Sequence, residues 1–321
     1  MTPFQPNGAN LPAAGVCSLL ARNKINITFL AHVSPDERAG CTTALCTADS
    51  VGRESASLVE SRGVPSGRVD LNDDVSILSV FPHEQRPQVT GRLLEAFAGK
   101  DIALLGLASS PSAVSSVVFS ADTKATINAF FNAFEFPAYR LPADWHAAYE
   151  GKEELLRKTI ASYEEKVIRI YGLVQQHDLD LWNLELPTSG LENLGAVLVD
   201  LGRQGAKLPF VAALPSVKDK LRFSFCFPRA QTAAIRGAFS RHLDTTAVSR
   251  HPRTAVLFLH GPHFGDRYGI AHTLTTALEN AGIALLAMGC TVSSISVVIS
   301  DKDLTKAVQT LDATFQRSSD E

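Results

Sequence analysis

One long segment of the chain occurs twice. From Arg267 the sequence reads RYGIAHTLTTALENAGIALLAMG, from Arg86 it reads RPQVTGRLLEAFAGKDIALLGLA, and the two align without a gap. Each copy lies between two apolar stretches, which are Thr254–His260 and Ile295–Ser300 in one copy and Val75–Phe81 and Ser115–Ser120 in the other. Repetition of this kind indicates a chain assembled from copies of one supersecondary unit.

The spacing of apolar residues identifies the elements of this unit. In the later copy Ile270, Leu274 and Leu278 fall on one face, which predicts a helix, and Gly282 supplies its stop. The β-branched runs bounded by Gly and Ser predict strands. One unit is therefore expected to contain strand, helix, strand, strand and helix in that order.

Two further copies are weaker. The first should hold a helix and a strand within LPAAGVCSLLARNKINITFLAH, a strand at Cys41–Thr47 and a helix at Ser50–Arg62, with a short or missing opening strand. The other should open at Lys166–Val174, continue through a long connection, QQHDLDLWNLELPTSG, and then hold elements at Leu191–Arg203, Leu208–Leu214, Leu221–Phe227 and Ala230–His242. A helix is predicted between the halves, in PADWHAAYEGKEELLRKTIASYEEK, which is rich in helix formers.

The copies divide the chain into four units and a connector. We name them unit 1 (1–72), unit 2 (73–141), unit 3 (164–246) and unit 4 (247–321), with the connecting helix at 142–163. The two halves are offset by roughly 180 residues, which fits a duplicated pair of units. A chain of 321 residues is long enough for several hydrophobic cores.

The order of elements and the residues of unit 4 point to a known family. Strand, helix, strand, strand, helix and a closing strand describe the ferredoxin-like split βαβ sandwich, an α+β fold. The segment GIAHTLTTALENAGIALLAMG followed by SISVVISDKDLTKAVQTL resembles the ACT domain in its aspartokinase-type regulatory form, with Gly269, Ile283 and Ser296 at the family's motif positions. The resemblance is good in unit 4, fair in units 1 and 2, and weak in unit 3. It implies four tandem ferredoxin-like (βαββαβ) ACT-type sandwiches arranged as a duplicated pair.

The resemblance also implies where a ligand binds. ACT domains pair side by side and bind small effectors, commonly amino acids, where the start of a first helix meets the entry of a second strand. A helix N-terminus offers free N–H groups to a carboxylate, and an arginine beside it can hold the carboxylate with two hydrogen bonds. The predicted ligand contacts are Asn26, Arg86, Gln88, Asp266, Arg267, Gly269, Ile270 and Ile283.

The chain departs from the family at the strand entry. The Asn of the family pattern is present only as Asn26, while Ala103, Leu208 and Ala284 stand at the corresponding places of the other units. Effector binding is therefore expected in few of the pockets or in none.

The sequence contains no recognisable catalytic motif. No part resembles the kinase domain that usually precedes such a regulatory region, and no Walker loop, GxSxG elbow or HExxH motif occurs. We therefore expect a protein that is not an enzyme and has no cofactor, binds an amino acid or related effector, and regulates a separate polypeptide. It should act as a homodimer or with a partner enzyme. The alternative is a ligand-free scaffold that contacts other proteins through its sheet edges.

Two segments suggest other chemistry. The motif HGPHFGD at 260–266 contains metal-ligand residue types, but its spacing and the lack of a fourth ligand favour a polar loop. The strand KLRFSFCF alternates phenylalanines as RNA-binding sheets do. The net charge of −3 and the lack of such aromatics in the other units favour a buried sheet face instead, and no nucleic-acid partner is expected.

Two uncharged runs approach the length of a membrane span. Ile102–Ala121 and Ile283–Ser300 are interrupted by serines, and the first contains Pro111, so each predicts two buried strands joined by a turn. The five cysteines form no CxxC pair and predict small buried residues in a reducing compartment. No signal peptide, membrane contact or metal is expected, and the predicted location is the cytoplasm.

Overall fold

Helices and strands follow each other largely as the repeat predicts. The computed structural model describes residues 4–6, 13–34, 41–63, 67–137, 141–143, 169–216, 219–243, 247–261, 267–291 and 294–317. Unit 1 contains β1 (Phe4–Pro6), α1 (Ala13–Arg22), β2 (Phe29–Val33), β3 (Thr42–Cys46), α2 (Gly52–Leu58) and β4 (Gly67–Val69). Unit 2 contains β5 (Val75–Val80), α3 (Pro87–Ala98), β6 (Gly106–Ser109), β7 (Val114–Phe119) and α4 (Thr123–Ala133).

The second half repeats this order. Unit 3 contains β8 (Arg169–Ile170), β9 (Gly172–Pro187), α5 (Leu191–Arg203), β10 (Phe210–Pro215), β11 (Lys220–Pro228) and α6 (Thr232–His242). Unit 4 contains β12 (Ala247–His260), α7 (Ile270–Asn280), β13 (Ala287–Thr291), β14 (Ser294–Ser300), α8 (Leu304–Thr314) and β15 (Gln316–Arg317). Both uncharged runs form strand pairs, as predicted. The connecting helix predicted at 142–163 lies outside the described residues except for 142 and 143.

The long connection predicted in unit 3 is wrong. Most of QQHDLDLWNLELPTSG belongs to β9, which continues to Pro187. Leu179 and Leu181 enter one hydrophobic cluster, while Trp182 and Leu184 enter another, on the opposite face. Because successive residues of a strand point to opposite faces, this alternation holds the segment in a sheet that is buried on both sides.

All units contribute to one antiparallel sheet of thirteen strands. The order is β4-β1-β3-β2 from unit 1, β13-β14-β12 from unit 4, β9-β11-β10 from unit 3 and β6-β7-β5 from unit 2. Unit 1 has the complete ferredoxin-like order. In the described parts of units 2 to 4, no closing strand joins this sheet. Four separate βαββαβ sandwiches are therefore not confirmed, because the long strands β9 of unit 3 and β12 of unit 4 pair with each other instead.

The sheet curls so that its two halves face each other. One buried cluster takes residues from both halves, including Phe29 of β2, Phe210 of β10 and Phe258 of β12. The Ser296 hydroxyl of β14 donates to the carbonyl oxygen of Ser109 in β6 at 3.1 Å. Helices cover the outer faces, so the chain has two helix layers around two sheet layers, and hydrophobic cores lie on both faces of each half-sheet.

The two half-sheets join where β9 pairs with β12. The register between these strands shifts near Pro252 and Thr254, and such bulges increase local twist and bending. The buried carboxylate of Asp180 on β9 accepts hydrogen bonds from Arg250 Nη1 at 2.8 Å and from the N–H of Arg253 at 3.3 Å. This carboxylate links the bulge in β12 to the strand segment before it.

Helix pairs join the units two by two. α1 packs against α7, which joins units 1 and 4, and α3 packs against α5, which joins units 2 and 3. A Cβ atom at Gly91 of α3 would lie 2.6 Å from the carbonyl oxygen of Gly195 in α5. The backbones of α3 and α5 therefore touch directly.

Candidate functional site

The interface between units 1 and 4 brings several predicted ligand contacts together. Besides the contact of α1 with α7, β2 pairs with β13 across this interface. Two cavities lie at opposite ends of the helix pair. One lies where the segment after α1 meets the start of α7, and the other lies where the start of α1 meets the segment after α7.

The first cavity, which we name the Asn26 cavity, contains four of the predicted residues. Asn26 from unit 1 lines it together with Arg267, Gly269 and Ile270 from unit 4. Gly269 has a φ of 91°, a conformation that favours glycine, and no side chain caps α7. The free volume is only about 10 Å³, which is room for about one water molecule. The cavity is therefore closed to an amino acid in this conformation.

The second cavity, which we name the His32 cavity, is much larger. Its volume is about 370 Å³, which is within the range of small-molecule sites. The predicted residue Ile283 lines it. The remaining lining residues were not predicted, and they are Ala13, Ala14, His32, Ser34, Cys41, Thr275, Leu278, Glu279, Gly282, Ala284 and Leu285.

His32 is the buried polar group of this cavity. Its side chain is 2% exposed, and burial lowers the pKa of the imidazole to about 4, so the ring is neutral at pH 7. His32 Nδ1 lies 2.8 Å from Thr43 Oγ1. The sequence signal was a single polar residue inside the apolar strand FLAHV, which could have marked His32 as a candidate.

The ends of the two helices give the His32 cavity opposite polarities. Ala13 and Ala14 belong to the first turn of α1, while Glu279 and Gly282 lie at the end of α7. A helix carries partial positive charge at its N-terminus and partial negative charge at its C-terminus, and the Glu279 carboxylate adds to the latter. A zwitterion can therefore be oriented between the two ends.

Arg86 and Gln88 lie at the other interface, between units 2 and 3. Arg86 is exposed and pairs with Glu84 at 3.2 Å. Gln88 packs against α5, where a Cβ atom at Gly202 would lie 2.1 Å from its amide carbon. The N–H of Leu208, at the strand entry of unit 3, donates to the carbonyl oxygen of Gln85 at 2.8 Å. Direct contacts thus occupy the place where a ligand was predicted.

The predicted contact Asp266 lies outside the described residues, as does His263 of the metal hypothesis. His260 is described, and its Nδ1 lies 2.8 Å from Ser294 Oγ. Within the described ranges no group of three or more His, Cys, Asp or Glu side chains could hold a metal ion.

The aromatic strand of unit 3 is a core element. Phe223, Phe225 and Phe227 on β11 are all 0% exposed. The prediction of a buried sheet face is confirmed. Because these rings are buried, they cannot stack on bases. All five cysteines are buried and form no disulfide bond, which confirms their predicted role as small core residues. Across the part of the chain that the structure describes, no helix has both the length and the apolar character needed to cross a membrane.

A family comparison defines the class of the C-terminal part. The ACT domain model matches residues 249–313, which lie in unit 4. The resemblance found in the sequence of this unit is confirmed, and the fold around it is of the ACT type. The match does not include units 1 to 3, for which the resemblance remains a prediction.

Particular relatives belong to one group of enzymes. Aspartokinase 2 of Bacillus subtilis (strain 168) is 21% identical over 183 residues, which cover 56% of this chain and 44% of that protein. The crystal structure of aspartate kinase from Synechocystis matches 100% of this chain and 55% of its own chain, with a TM-score of 0.76 and 11% identity. The regulatory subunit of aspartate kinase from Thermus thermophilus, in its ligand-free form, gives a TM-score of 0.41 at 14% identity, over 46% of this chain and 99% of that one.

The chain spans about half the length of the first two relatives. The structural match to aspartate kinase from Synechocystis, at 11% identity, shows a shared fold. The two matches with aspartate kinases overturn the prediction that the chain is not an enzyme. Both relatives are aspartate kinases, and the lack of a familiar motif was not a sufficient reason to exclude an enzyme.

Proposed function

We propose that this chain supplies amino-acid sensing to an aspartate-kinase-type enzyme through ACT units that pair 1 with 4 and 2 with 3. The unit boundaries are those predicted from the repeat, at 1–72, 73–141, 164–246 and 247–321, with a connector at 142–163. The observation that carries this proposal is the His32 cavity, which lies between two units and joins a helix start to a strand entry.

The cavity favours a zwitterionic amino acid with a small or apolar side chain. The carboxylate would lie at the N-terminal turn of α1, and the ammonium group would lie near Glu279 and the C-terminal end of α7. Neutral His32, Leu278 and Ile283 would contact the side chain of the ligand. Because both units supply walls, a bound ligand would stabilise one relative orientation of units 1 and 4.

The Asn26 cavity has a secondary place in this proposal. Asn26, Arg267, Gly269 and Ile270 occupy the equivalent position at the other end of the helix pair, with Asp266 next in sequence to Arg267. A ligand would need a movement of these walls to enter. We therefore assign the first binding event to the His32 cavity, and changes at Arg267 would follow from reorientation of the units.

The interface between units 2 and 3 acts in this proposal as a fixed platform. The contact of Gly91 with Gly195 and the hydrogen bond from Leu208 to Gln85 close this interface, and Gln88 packs within it. This tight packing is what the ligand-free scaffold hypothesis predicts for the whole chain. The scaffold alternative therefore fits one interface, and the open His32 cavity favours sensing at the other.

Titration calorimetry with the twenty amino acids tests the proposal. At least one should release or absorb heat with a stoichiometry of about one per chain, because one open cavity is proposed. Ala284 and Ala103 are exposed residues at equivalent strand entries, and only Ala284 lines the His32 cavity. Ala284→Phe should weaken binding at least about tenfold by filling the cavity, whereas Ala103→Phe should have no effect.

No heat with any amino acid, from protein shown to be folded by circular dichroism, would contradict the proposal. Equal effects of the two substitutions would place the ligand elsewhere. In the aspartate-kinase-type enzyme of this proposal, the amino acid that binds should change the rate of ATP-dependent aspartate phosphorylation, and Ala284→Phe should remove that response.

A further inference from the structure

Another cavity lies between unit 1 and the beginning of unit 2, away from the interface with unit 4. Its volume is about 390 Å³, and it lies between α1, β3, α2 and the segment from Leu71 to Val75 that leads into unit 2. We name it the α2 cavity. None of the residues predicted as ligand contacts lines it.

The inner wall of the α2 cavity is apolar. Val16 of α1, Leu45 of β3 and Val59 after α2 are at most 8% exposed in the chain as a whole. They belong to one small hydrophobic cluster, and all three line the cavity. Apolar walls around a space of this size suit the hydrocarbon part of a small ligand.

The described residues at the mouth of the cavity carry net negative charge. Arg53 Nη2 pairs with Asp73 Oδ2 at 3.2 Å, which balances those two charges. Asp74 also lines the cavity, and its carboxylate makes no ion pair with any described residue. One carboxylate is thus left at the mouth to attract a cation.

The polar groups inside favour a ligand that donates hydrogen bonds. Ser55 is 5% exposed, and its hydroxyl donates to the carbonyl oxygen of Val51 at 2.6 Å. Because its single hydrogen is used, the Ser55 oxygen presents acceptor lone pairs. Hydrogen-bond acceptors inside the cavity and a carboxylate at its mouth suit a ligand with an ammonium group better than a ligand with a carboxylate.

We propose that the α2 cavity is a binding site for a small organic amine with an apolar body. The ammonium group lies at Asp74, and the hydrocarbon part contacts Val16, Leu45 and Val59. This site goes beyond the sensing of amino acids between units 1 and 4 and does not depend on it.

Three probes with one hydrocarbon body test the proposal. Isoamylamine, isoamyl alcohol and isovalerate differ in charge at the head group, and each is titrated while the methyl NMR signals of Val16, Leu45 and Val59 are followed. The amine should bind about tenfold more tightly than the alcohol, and the acid should bind more weakly than either. Equal affinities for the three probes, or no change of these signals with the amine, would overturn the proposal.

A pair of matched substitutions tests whether the Asp74 carboxylate binds the ammonium group. Asp74 and Asp101 are both exposed and both have a positive φ, of 61° and 51°, which asparagine tolerates. Asp74→Asn should reduce amine affinity about tenfold, to that of the alcohol, and Asp101→Asn should not. Unchanged amine binding in Asp74→Asn would overturn the proposal.

A filled cavity provides an independent check. Ala56→Phe should abolish binding of all three probes by occupying the space, and retained binding in folded Ala56→Phe would overturn the proposal. Should this variant not fold, the Asp74→Asn comparison still decides. Ala284→Phe should leave amine binding intact, so failure of amino-acid sensing and failure of this site are distinguishable.

Discussion

His32 is the residue at which burial and ligand chemistry meet. A histidine among apolar strand residues would ordinarily be protonated at mildly acidic pH, but burial lowers its pKa to about 4. The hydrogen bond with Thr43 Oγ1 holds the ring in place under α1. A neutral, fixed imidazole can contact an uncharged ligand side chain without adding a cation to the His32 cavity.

The shifted pKa predicts how stability depends on pH. Between pH 6.5 and about 4 the unfolded chain binds a proton at His32 and the folded chain does not, so the free energy of unfolding decreases as the pH falls through this range. The slope from this residue should be at most about 1.4 kcal/mol per pH unit. Urea unfolding from pH 7 to 4.5 measures it, and His32→Asn should make the dependence shallower by that amount.

His177 supplies the control for this measurement. Its side chain is exposed on β9, so His177→Asn should leave the pH dependence as it is in the unmodified protein. Equal slopes for His32→Asn and the unmodified chain would mean that His32 takes up a proton in the folded protein.

At the scale of elements, helix pairs decide which interface stays open. α3 and α5 contain glycines at their crossing, so their backbones touch, whereas α1 and α7 leave space at both of their ends. Side-chain size at a few helix positions therefore separates a sealed interface from one that can receive a ligand. Val16 of the α2 cavity and the two alanines of the His32 cavity belong to the same helix, α1. This helix therefore forms part of both cavities.

Substitution of Gly91 tests the sealed interface. A methyl group there would lie 2.6 Å from the carbonyl oxygen of Gly195, so Gly91→Ala should lower the free energy of unfolding by about 1–3 kcal/mol. Gly237 in α6 has its nearest neighbour at 3.6 Å, a flexible arginine side chain. Gly237→Ala should therefore be neutral or stabilise by up to about 1 kcal/mol through helix propensity. Comparable losses for both variants in urea unfolding would contradict the close contact.

At the scale of the whole molecule, the four units share one sheet. Unit 4 pairs through β13 with unit 1 and through β12 with unit 3, and β10 of unit 3 pairs with β6 of unit 2. One cluster between the half-sheets contains residues of all four units. Units joined in this way cannot separate without exposing backbone hydrogen-bonding groups and apolar surface.

Because the four units share one sheet, they are expected to unfold together. Cys46 in unit 1, Cys226 in unit 3 and Cys290 in unit 4 are buried thiols, and each should become reactive at the same urea concentration. Pulsed thiol labelling read by mass spectrometry measures the three midpoints in one experiment. Well-separated midpoints would show that the units unfold independently, as separate sandwiches would.

The sequence by itself determined the local elements and the class of unit 4. The alignment of the segment that begins at Arg86 with the segment that begins at Arg267 predicted strand, helix, strand, strand and helix. The spacing of apolar residues fixes which faces of these elements must be buried. The same pattern was misjudged at Leu179–Leu186, where alternation on both faces marked a strand that had been predicted as a connection.

Only the tertiary structure decided which units meet and where space remains. In the sheet, unit 1 lies beside unit 4 rather than beside unit 2, and that placement brings Asn26 to Gly269, while Gln88 is packed against α5. Local periodicity depends on neighbours within a few residues, whereas a cavity depends on side chains from distant segments. The His32 cavity could therefore be found only once the packing of α1 against α7 was known.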